Sequence, residues 1–430
     1  LGGDGIEKRE KGLRDFQGQR STRLEGGAMI IYIEARNKVL AGVRLLGNET
    51  CPLENILGRI LAEEIISRFD IPPKDNSAMD GFAVRQADIA AASPKSPVLL
   101  EVIEDVPAGK VASKAVGQGQ AIRIMTGAQI PLGADCVVPV EGTKSQNSKF
   151  KIQIEVSVGM GEHIRRRGED VSAGEVLIVK GTRLRPQEVG LMASLGMTGA
   201  LVSKRPVVGI VSSGNEIVNP GKPLGPGQIY DANRYSLAAQ ARSLNAEVRD
   251  YGIVGDDLEK IIATLERAAG ECDLLLTSGG VSVGDYDLMK QALSKLGEMN
   301  FWQVAQKPGK PMAFGFIKGQ PVLGLPGNPV SAMVIFEQYA RPLLLKMQGA
   351  NSIFREQLTA ISDQKIDKPA GRMEFLRVAV EWRNGRYHAK LTGPQGSGIL
   401  TSMVRADGLA ILPEKAAHIM PGDALTVELF

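Results

Sequence analysis

Between residues 206 and 347, short apolar runs alternate with stretches of helical periodicity, and this alternation constrains the fold more than any other feature of the chain. Runs at 206–211 (PVVGIV), 247–253, 272–277 (CDLLLT), 300–305, 312–317 and 321–324 read as strands. Segments near 232–244, 257–269, 286–296 and 329–346 read as helices. Within 257–269, Leu258, Ile261, Ile262 and Leu265 recur at helical spacing, while Glu259, Lys260 and Glu266 fall on a wet face. Elements of this length and order predict βαβ units around a largely parallel sheet covered by helices.

The flanking sequence has other rhythms. Two helices are predicted at 33–46 and 52–66, the second opening at Pro52 and placing Leu53, Ile56, Leu57, Ile60, Leu61 and Ile65 on one face. The stretch 69–85, FDIPPKDNSAMDGFAVR, carries two prolines, an Asp-Asn-Ser cluster and Gly81, and reads as an ordered, turn-rich loop. From 86 to 180 short β-rich runs dominate, a helix is predicted at 186–195, and after 348 short strands return in a small all-β terminal domain. Residues 1–28 are mostly polar and read as an appended, frayed extension, with Met29 a candidate natural start.

Charge is nearly balanced, 51 Lys plus Arg against 48 Asp plus Glu, so any anion-binding argument rests on local clusters and neither nucleic acid nor a membrane surface is expected as a partner. No run of 18 apolar residues and no apolar leader segment occur, which makes a cytoplasmic location the expectation. Cys51, Cys136 and Cys272 are far apart and form no CxxC pair, so structural thiols are expected, although a Cys–His pair assembled in space stays open. His163, His388 and His418 are equally scattered and support no zinc site.

In open α/β sheets ligands bind beyond the carboxyl ends of the strands. Three Gly-rich segments fall there: 212–234 (SSGNEIVNPGKPLGPGQIYDANR), 277–287 (TSGGVSVGDYD) and 324–332 (GLPGNPVSA). In the third, Pro326 leads into Gly327, which would permit a tight turn; Asn328 would cap the following helix, and Pro329 suits its first position. A well-capped helix explains that segment equally well. In the second, Ser278, Gly279, Gly280 and Gly284 allow close backbone approach, and Thr277 and Ser282 add hydroxyls. Neither GxGxxG nor GxxxxGK[ST] occurs, which argues against NAD binding and P-loop hydrolysis.

Lys307 and Lys310, in AQKPGKP, are point charges suited to phosphate, or else solvated surface lysines. Arg165, Arg166 and Arg167 precede Glu169 and Asp170, a pattern that fits an anion clamp, a salt-bridge network or a solvated turn. Asp80, Asp170, Glu216, Asp256, Asp257, Asp285 and Asp287 lie in loops. Converging, several would make a hard oxygen site for Mg²⁺; separately, they are helix caps or solvated acids. Thr126, in RIMTGA, would orient an oxyanion or satisfy its own turn.

Taken in order, FDIPPKDNSAMDGFAVR, AIRIMTGAQIPLGADCVVPVE, IRRRGEDVSAGE, SSGNEI, GPGQIYDANR, LLTSGGVSVGDYD, FWQVAQKPGKPMAFG and GLPGNPVSA closely resemble the molybdopterin molybdenumtransferase family, called MoeA in bacteria and represented in animals by the gephyrin E domain. The resemblance runs from about Met29 to the C-terminus. It implies a multidomain α/β plus β protein with a MogA-like three-layer α/β molybdopterin-binding domain at 206–347 and a small β-barrel-like domain at 348–430. It also implies a discontinuous domain at 29–65 and 175–205 and a β-rich domain at 66–174. The implied reaction inserts molybdenum from molybdate into adenylylated molybdopterin and releases AMP, with Mg²⁺ required. The implied assembly is a homodimer with composite active sites, and the implied partners are the molybdopterin adenylyltransferase and molybdoenzyme maturation factors.

By the same resemblance, Asp80, Thr126, Arg165, Asp170, Glu216, Asp256, Asp287 and Lys307 occupy active-site positions. Asp80, Asp170, Glu216, Asp256 and Asp287 are the candidate metal or molybdate groups. Ser278, Gly279, Gly280, Ser282, Gly284, Lys307, Lys310, Pro326, Gly327, Asn328 and Pro329 are the candidate pterin-binding set. Three departures stand out: Asn215 replaces an aspartate of the family's Ser-Thr-Gly-Asp-Glu block, Gln303 stands where some relatives carry lysine, and Asp285 where glutamate is common. Tungstate insertion, a noncatalytic pterin-binding scaffold and the adenylyltransferase step are the alternative readings.

Overall fold

Leu274–Ser278 is buried at every position, as a strand covered on both faces must be. It lies inside a six-stranded sheet ordered Glu247–Val254, Val207–Ser213, Leu274–Ser278, Gln320–Leu325, Pro311–Ile317, Gly297–Gln303. The first four strands are parallel. The last two run antiparallel at one edge. Alternate residues serve opposite layers: Ile210, Leu274, Leu276 and Leu323 pack with Leu237, Ala241 and Val334, whereas Val211, Leu275 and Val322 pack with Ile261, Leu265 and Leu293. This is the three-layer arrangement the periodicity predicts.

The coordinates are a computed structural model that describes residues 29–107, 109–145, 150–280 and 288–430. The proposed extension 1–28 and the segment 281–287, which holds Ser282, Gly284, Asp285 and Asp287, therefore lie outside the described residues. The chain forms two units, one from the residues up to Glu63 with Lys180–Val189 and Thr198–Phe430, the other from Glu64–Val179 with Gly190–Met197.

In the first unit the long helix predicted at 329–346 is Pro329–Ile335, a π-turn at Phe336–Ala340, and Arg341–Met347. Pro342 accounts for the interruption, since it has no amide to donate and its ring crowds the carbonyl four residues back. The π-turn leaves Gln338 and Tyr339 buried; Gln338 accepts from the Tyr32 hydroxyl at 2.6 Å and donates to Glu428 at 2.7 Å. The C-terminal strands Met373–Arg383, Arg386–Leu391, Gln357–Ser362, Ala424–Leu429 and Gly408–Leu412 pair in that order, and the last returns to Met373–Arg383. Closure makes a five-stranded barrel filled by Leu376, Val378, Leu412, Leu425 and Val427.

The predicted helices of the N-terminal region are corrected. The first is shorter, Tyr32–Ala41, and buries Tyr32, Ala35, Val39 and Leu40. The second does not exist: Asn48–Pro52 is a strand antiparallel to Gly199–Ser203, followed by a short 3₁₀ turn, Leu53–Asn55, a turn closed by the Arg59 amide on the Ile56 carbonyl, and single bridges at Ile60 and Leu61. Gly58 sits at φ +75°, outside the helical region, and a Cβ there would come within 2.5 Å of the Asn245 amide. Backbone amides that a helix would use internally instead reach Leu184, Thr182 and Leu201 carbonyls, from Gly58, Leu61 and Ala62. Ile56, Ile60, Leu61 and Ile65 are buried, but Leu57 is 57% exposed.

The second unit is built on the sheet Cys136–Pro139, Gly81–Val84, Gln120–Ile124, Val98–Val106, Lys151–Ile154, Thr143–Ser145. The turn-rich stretch expected at 69–85 is interrupted only by Asn76–Ser77 before the strand starting at Gly81. All three cysteines are free and buried. Burial pushes the Cys136 thiol up to about 12 and the Cys272 thiol up to about 11, which makes both poor nucleophiles. Among the described residues no helix is long and apolar enough to cross a membrane.

The non-helical path of residues 53–62 makes a direct prediction. Ile60→Ala should cost about 2–4 kcal/mol in denaturant unfolding, whereas Leu57→Ser should stay within about 0.5 kcal/mol. Comparable losses at both positions would restore the helix.

Candidate functional site

The four parallel strands end together, and their turns carry most of the α/β candidates. Ser212 stands opposite Ser278 in the register of the neighbouring strands, and Val211 opposite Thr277. Gly279 turns at φ +85°, and a Cβ there would lie 2.7 Å from the Ser213 carbonyl, so only glycine lets the two turns approach. Gly280 follows at φ +66°.

Asn233, at the start of the helix Asn233–Arg242, joins two of these turns: its side-chain amide donates to Ser278 Oγ at 2.8 Å and to the Gly327 carbonyl at 2.9 Å. It sits in the GPGQIYDANR block, yet sequence reasoning gave it no role. An asparagine in the first turn of a helix, at the end of a Gly-rich segment, offers no signal until the turns meet around it. Asn233 Oδ1, Thr277 Oγ1 and Ser212 Oγ are buried and have no hydrogen-bond partner among the described residues, a concentration of such polar atoms at one set of strand ends.

The turn at 326–329 differs in detail from expectation. Gly327 is not among the left-handed glycines. Asn328 occupies the cap position, but its side chain makes no capping hydrogen bond, and the Val330 amide is satisfied by the Ser397 carbonyl at 3.1 Å. Pro329 does take the first turn. The capping group thus comes from residues 395–398, far along the sequence.

That same loop covers Arg377, which sequence reasoning also passed over. Its side chain is 1% exposed, donates to Ser402 Oγ at 3.0 Å and the Gly396 carbonyl at 3.1 Å, and has no carboxylate in ion-pair contact among the described residues. Burial pulls its guanidinium down to about 10. A buried cation without a counter-ion is chemically equipped to take an oxyanion.

Glu216 and Asp256 lie at neighbouring strand ends. Asp256 accepts from the Asn215 amide at 3.3 Å, while Asn215 Oδ1 accepts from the Asp256 amide at 3.2 Å. Asparagine at 215 therefore fills this reciprocal pair with no second carboxylate facing Asp256, which gives the departure a local reason. Asp257 is a helix cap, its carboxylate accepting from the Lys260 amide at 3.2 Å. Gln303, a second departure, has a buried Oε1 with no hydrogen-bond partner among the described residues.

Lys307 is exposed and pairs with Glu374 at 3.4 Å; Lys310 is half-buried and has no carboxylate in ion-pair contact among the described residues.

In the second unit, Asp80 accepts from the Thr126 amide at 2.6 Å and the Thr126 hydroxyl at 2.7 Å. These two bonds, the amide foremost, hold the Asp80 carboxyl below the usual carboxylate range. Asn76–Ser77 is flanked by Ile164–Arg165 on one side and Gln129 on the other, so Asp80, Thr126 and Arg165 belong to adjoining segments. The three arginines separate in role. Arg166 pairs with Asp75 at 2.7 Å and Arg167 with Asp70, which leaves Arg165 without a carboxylate partner among the described residues. The Asp170 amide binds the Ile71 carbonyl at 3.0 Å, and its exposed carboxylate makes no hydrogen bond among the described residues.

Among the described residues no three His, Cys, Asp or Glu side chains gather closely enough to enclose a metal by themselves. The donors are hard oxygens in ones and twos, which suits Mg²⁺ held by one or two carboxylates together with substrate phosphate.

Comparison with known proteins covers nearly the whole described chain. Residues 30–196 match the family described as MoeA N-terminal region (domain I and II), residues 209–346 the probable molybdopterin binding domain, and residues 359–430 the MoeA C-terminal region (domain IV). Molybdopterin molybdenumtransferase 2 of Mycobacterium tuberculosis is 38% identical over 88% of this chain and 94% of its own length. The molybdopterin molybdenumtransferase of Haemophilus influenzae is 36% identical over 94% and 99%. The crystal structure of the molybdopterin biosynthesis moeA protein from Pyrococcus horikoshii OT3 superposes with a TM-score of 0.80 at 34% identity, covering 94% of this chain and all of that one. With both ends and the middle matched in order, the chain belongs to the molybdopterin molybdenumtransferase, or MoeA, family.

Proposed function

We propose that this protein inserts molybdenum from molybdate into adenylylated molybdopterin, releasing AMP and forming the molybdenum cofactor. The observation that carries the reading is the Asn233 junction, where two glycine-bearing turns at the ends of parallel strands are tied beside unsatisfied hydroxyls in a chain of this family. Such a surface has backbone and hydroxyl donors for a pterin and phosphates, and Lys307 and Lys310 add positive charge. Arg377 and Arg165, neither with a carboxylate in ion-pair contact among the described residues, suit the oxyanion substrate.

The residues act by position and charge. Gly279 and Gly280 admit the ligand close to the backbone, Ser278 is oriented by Asn233, and Lys307 offsets charge on the phosphate as AMP leaves. No protein nucleophile is required, in keeping with the raised Cys136 and Cys272 thiols. Glu216, Asp256 and Asp287 of the α/β domain are carboxylates that would hold Mg²⁺ or line the molybdate site, and Asp80 and Asp170 are proposed for the same roles toward a partner protomer. When bound, the ion would polarise phosphate oxygen. Asp80 is suited to this because the Thr126 amide and hydroxyl fix one carboxylate oxygen and leave the other open.

The family also supports a cytoplasmic homodimer of four-part protomers, divided at 29–65 with 175–205, 66–174, 206–347 and 348–430. In it Asp80, Thr126, Arg165 and Asp170 of one protomer would serve the α/β site of its partner. The molybdopterin adenylyltransferase and molybdoenzyme maturation factors would stand before and after it in the reaction sequence.

Reconstitution with adenylylated molybdopterin, molybdate and Mg²⁺ should yield AMP and a cofactor that activates a molybdoenzyme apoprotein; folded protein that produces neither defeats the proposal. Competition between molybdate and tungstate in that assay tests the tungstate reading. Composite sites predict complementation. Asp80→Asn and Lys307→Ala should each be impaired alone, and random mixing of the two should recover about a quarter of wild-type activity, because each mixed dimer keeps one intact site. No recovery after verified subunit exchange rules out shared sites. Thr126→Val should raise the Asp80 carboxyl toward its ordinary value, read by NMR titration. Because the native carboxyl is depressed, its stabilising contribution is present above the unfolded value near ~3.9 and is lost as pH falls through the folded one. The variant should lose that contribution at a higher pH.

A further inference from the structure

Glu374 belongs to the barrel strand Met373–Arg383, yet it is 2% exposed and faces a lysine from another part of the fold. The two-residue strand Gln306–Lys307 adds in parallel to that barrel strand, with Gln306 opposite Met373 and Lys307 opposite Glu374. Gln306 fixes the segment from within: its side-chain amide donates to the Pro308 and Gly309 carbonyls at 3.3 Å each, and its oxygen accepts from the Tyr339 hydroxyl presented by the π-turn. The backbone carrying Lys307 is thus held on both sides.

The side chains are arranged asymmetrically. The Glu374 side chain is 3% exposed and that of Lys307 46%, so a buried carboxylate grips an ammonium whose far side is open. Lys307 is the one cation in ion-pair contact with Glu374 among the described residues, and Glu374 Oε1 is buried with no hydrogen-bond partner. Lys368, 6% exposed in the same barrel, feels the Glu374 charge, but its ammonium donates to the Arg372 carbonyl at 2.8 Å.

We infer that Glu374 is a positioning residue for Lys307, holding one of its N–H groups so that the others face the phosphate of the substrate. An ammonium has three donors and a flexible four-carbon stem, and a lysine held only by its own chain would sample many directions. A buried carboxylate cannot release its sole cation without a large desolvation cost, so Lys307 stays in place while substrate binds and AMP departs. The terminal barrel thereby sets the direction of a charge that belongs to the α/β domain. This inference rests on the assignment of Lys307 to the substrate phosphate.

The test is a kinetic and thermal double-mutant cycle on the full chain, using adenylylated molybdopterin, molybdate and Mg²⁺. Glu374→Gln preserves size and removes the charge. The kcat for AMP release per folded protein should fall by about tenfold to a hundredfold while KM does not rise, because the lysine keeps its charge and loses its aim. A merely structural role would instead leave kcat per folded protein at the wild-type value. In a Lys307→Ala background, Glu374→Gln should cause no further loss of activity and should restore the thermal stability that Lys307→Ala alone removes. Independent, multiplicative losses in the cycle, or wild-type kcat in Glu374→Gln, overturn the inference. If Lys307→Ala itself turns over normally, the assignment of Lys307 to substrate fails, and the stability rescue alone then decides whether the pair is coupled.

Discussion

A parallel sheet covered on both faces has no polar side, so its polar chemistry collects where the strands stop. Here four parallel strands end with Val254, Ser213, Ser278 and Leu325, and the residues that follow bring Glu216, Asp256, Gly279, Gly280 and Gly327 to one edge. The fold must bury the strands and must therefore expose these turns. Asn233 converts a cluster of turns into one surface, because a single amide reaches both Ser278 and Gly327. The buried Oδ1 of Asn233 and the buried Thr277 and Ser212 hydroxyls, unsatisfied among the described residues, mark the places where a polar ligand would bind at least cost.

Charge is partitioned by the same economy. Of the three consecutive arginines, two are neutralised by Asp75 and Asp70, and the third has no carboxylate partner among the described residues. Of the two lysines near residue 310, Lys307 is held by a buried glutamate and Lys310 has no carboxylate in contact among the described residues. Arg377 is buried with no acid in ion-pair contact among the described residues, and its side chain donates to a hydroxyl and a carbonyl. Neutralised cations fix the loops; the remainder are available to anions. The near-zero net charge of the chain conceals this pattern entirely.

The terminal barrel is more than an appended module. Its strand Met373–Arg383 receives Gln306–Lys307 as an extra edge, and its 395–402 loop supplies the carbonyl that caps the helix at Val330 and the partners of Arg377. The π-turn at Phe336–Ala340, forced by Pro342, presents Tyr339 to Gln306 and so ties helix, lysine loop and barrel together.

The sequence by itself determined the order of strands and helices in 206–347, because burial on two faces imposes periodicity that a chain cannot hide, and it marked the Gly-rich turns, Lys307 and the Asp257 cap. It also carried the family, in motifs spread along nearly the whole chain. It misread 52–66, where the stripe from Leu53 to Ile65 has helical spacing but Gly58 and hydrogen bonds to distant carbonyls hold the backbone in short turns and bridges instead of a helix. Tertiary structure alone decided which of several similar charges keep a partner, which amide joins two turns, and that Ser397 caps a helix Asn328 was expected to cap. Those outcomes depend on residues dozens to hundreds of positions apart meeting in space, and hydrogen bonds and ion pairs are settled by distances of a few ångströms that local pattern does not encode.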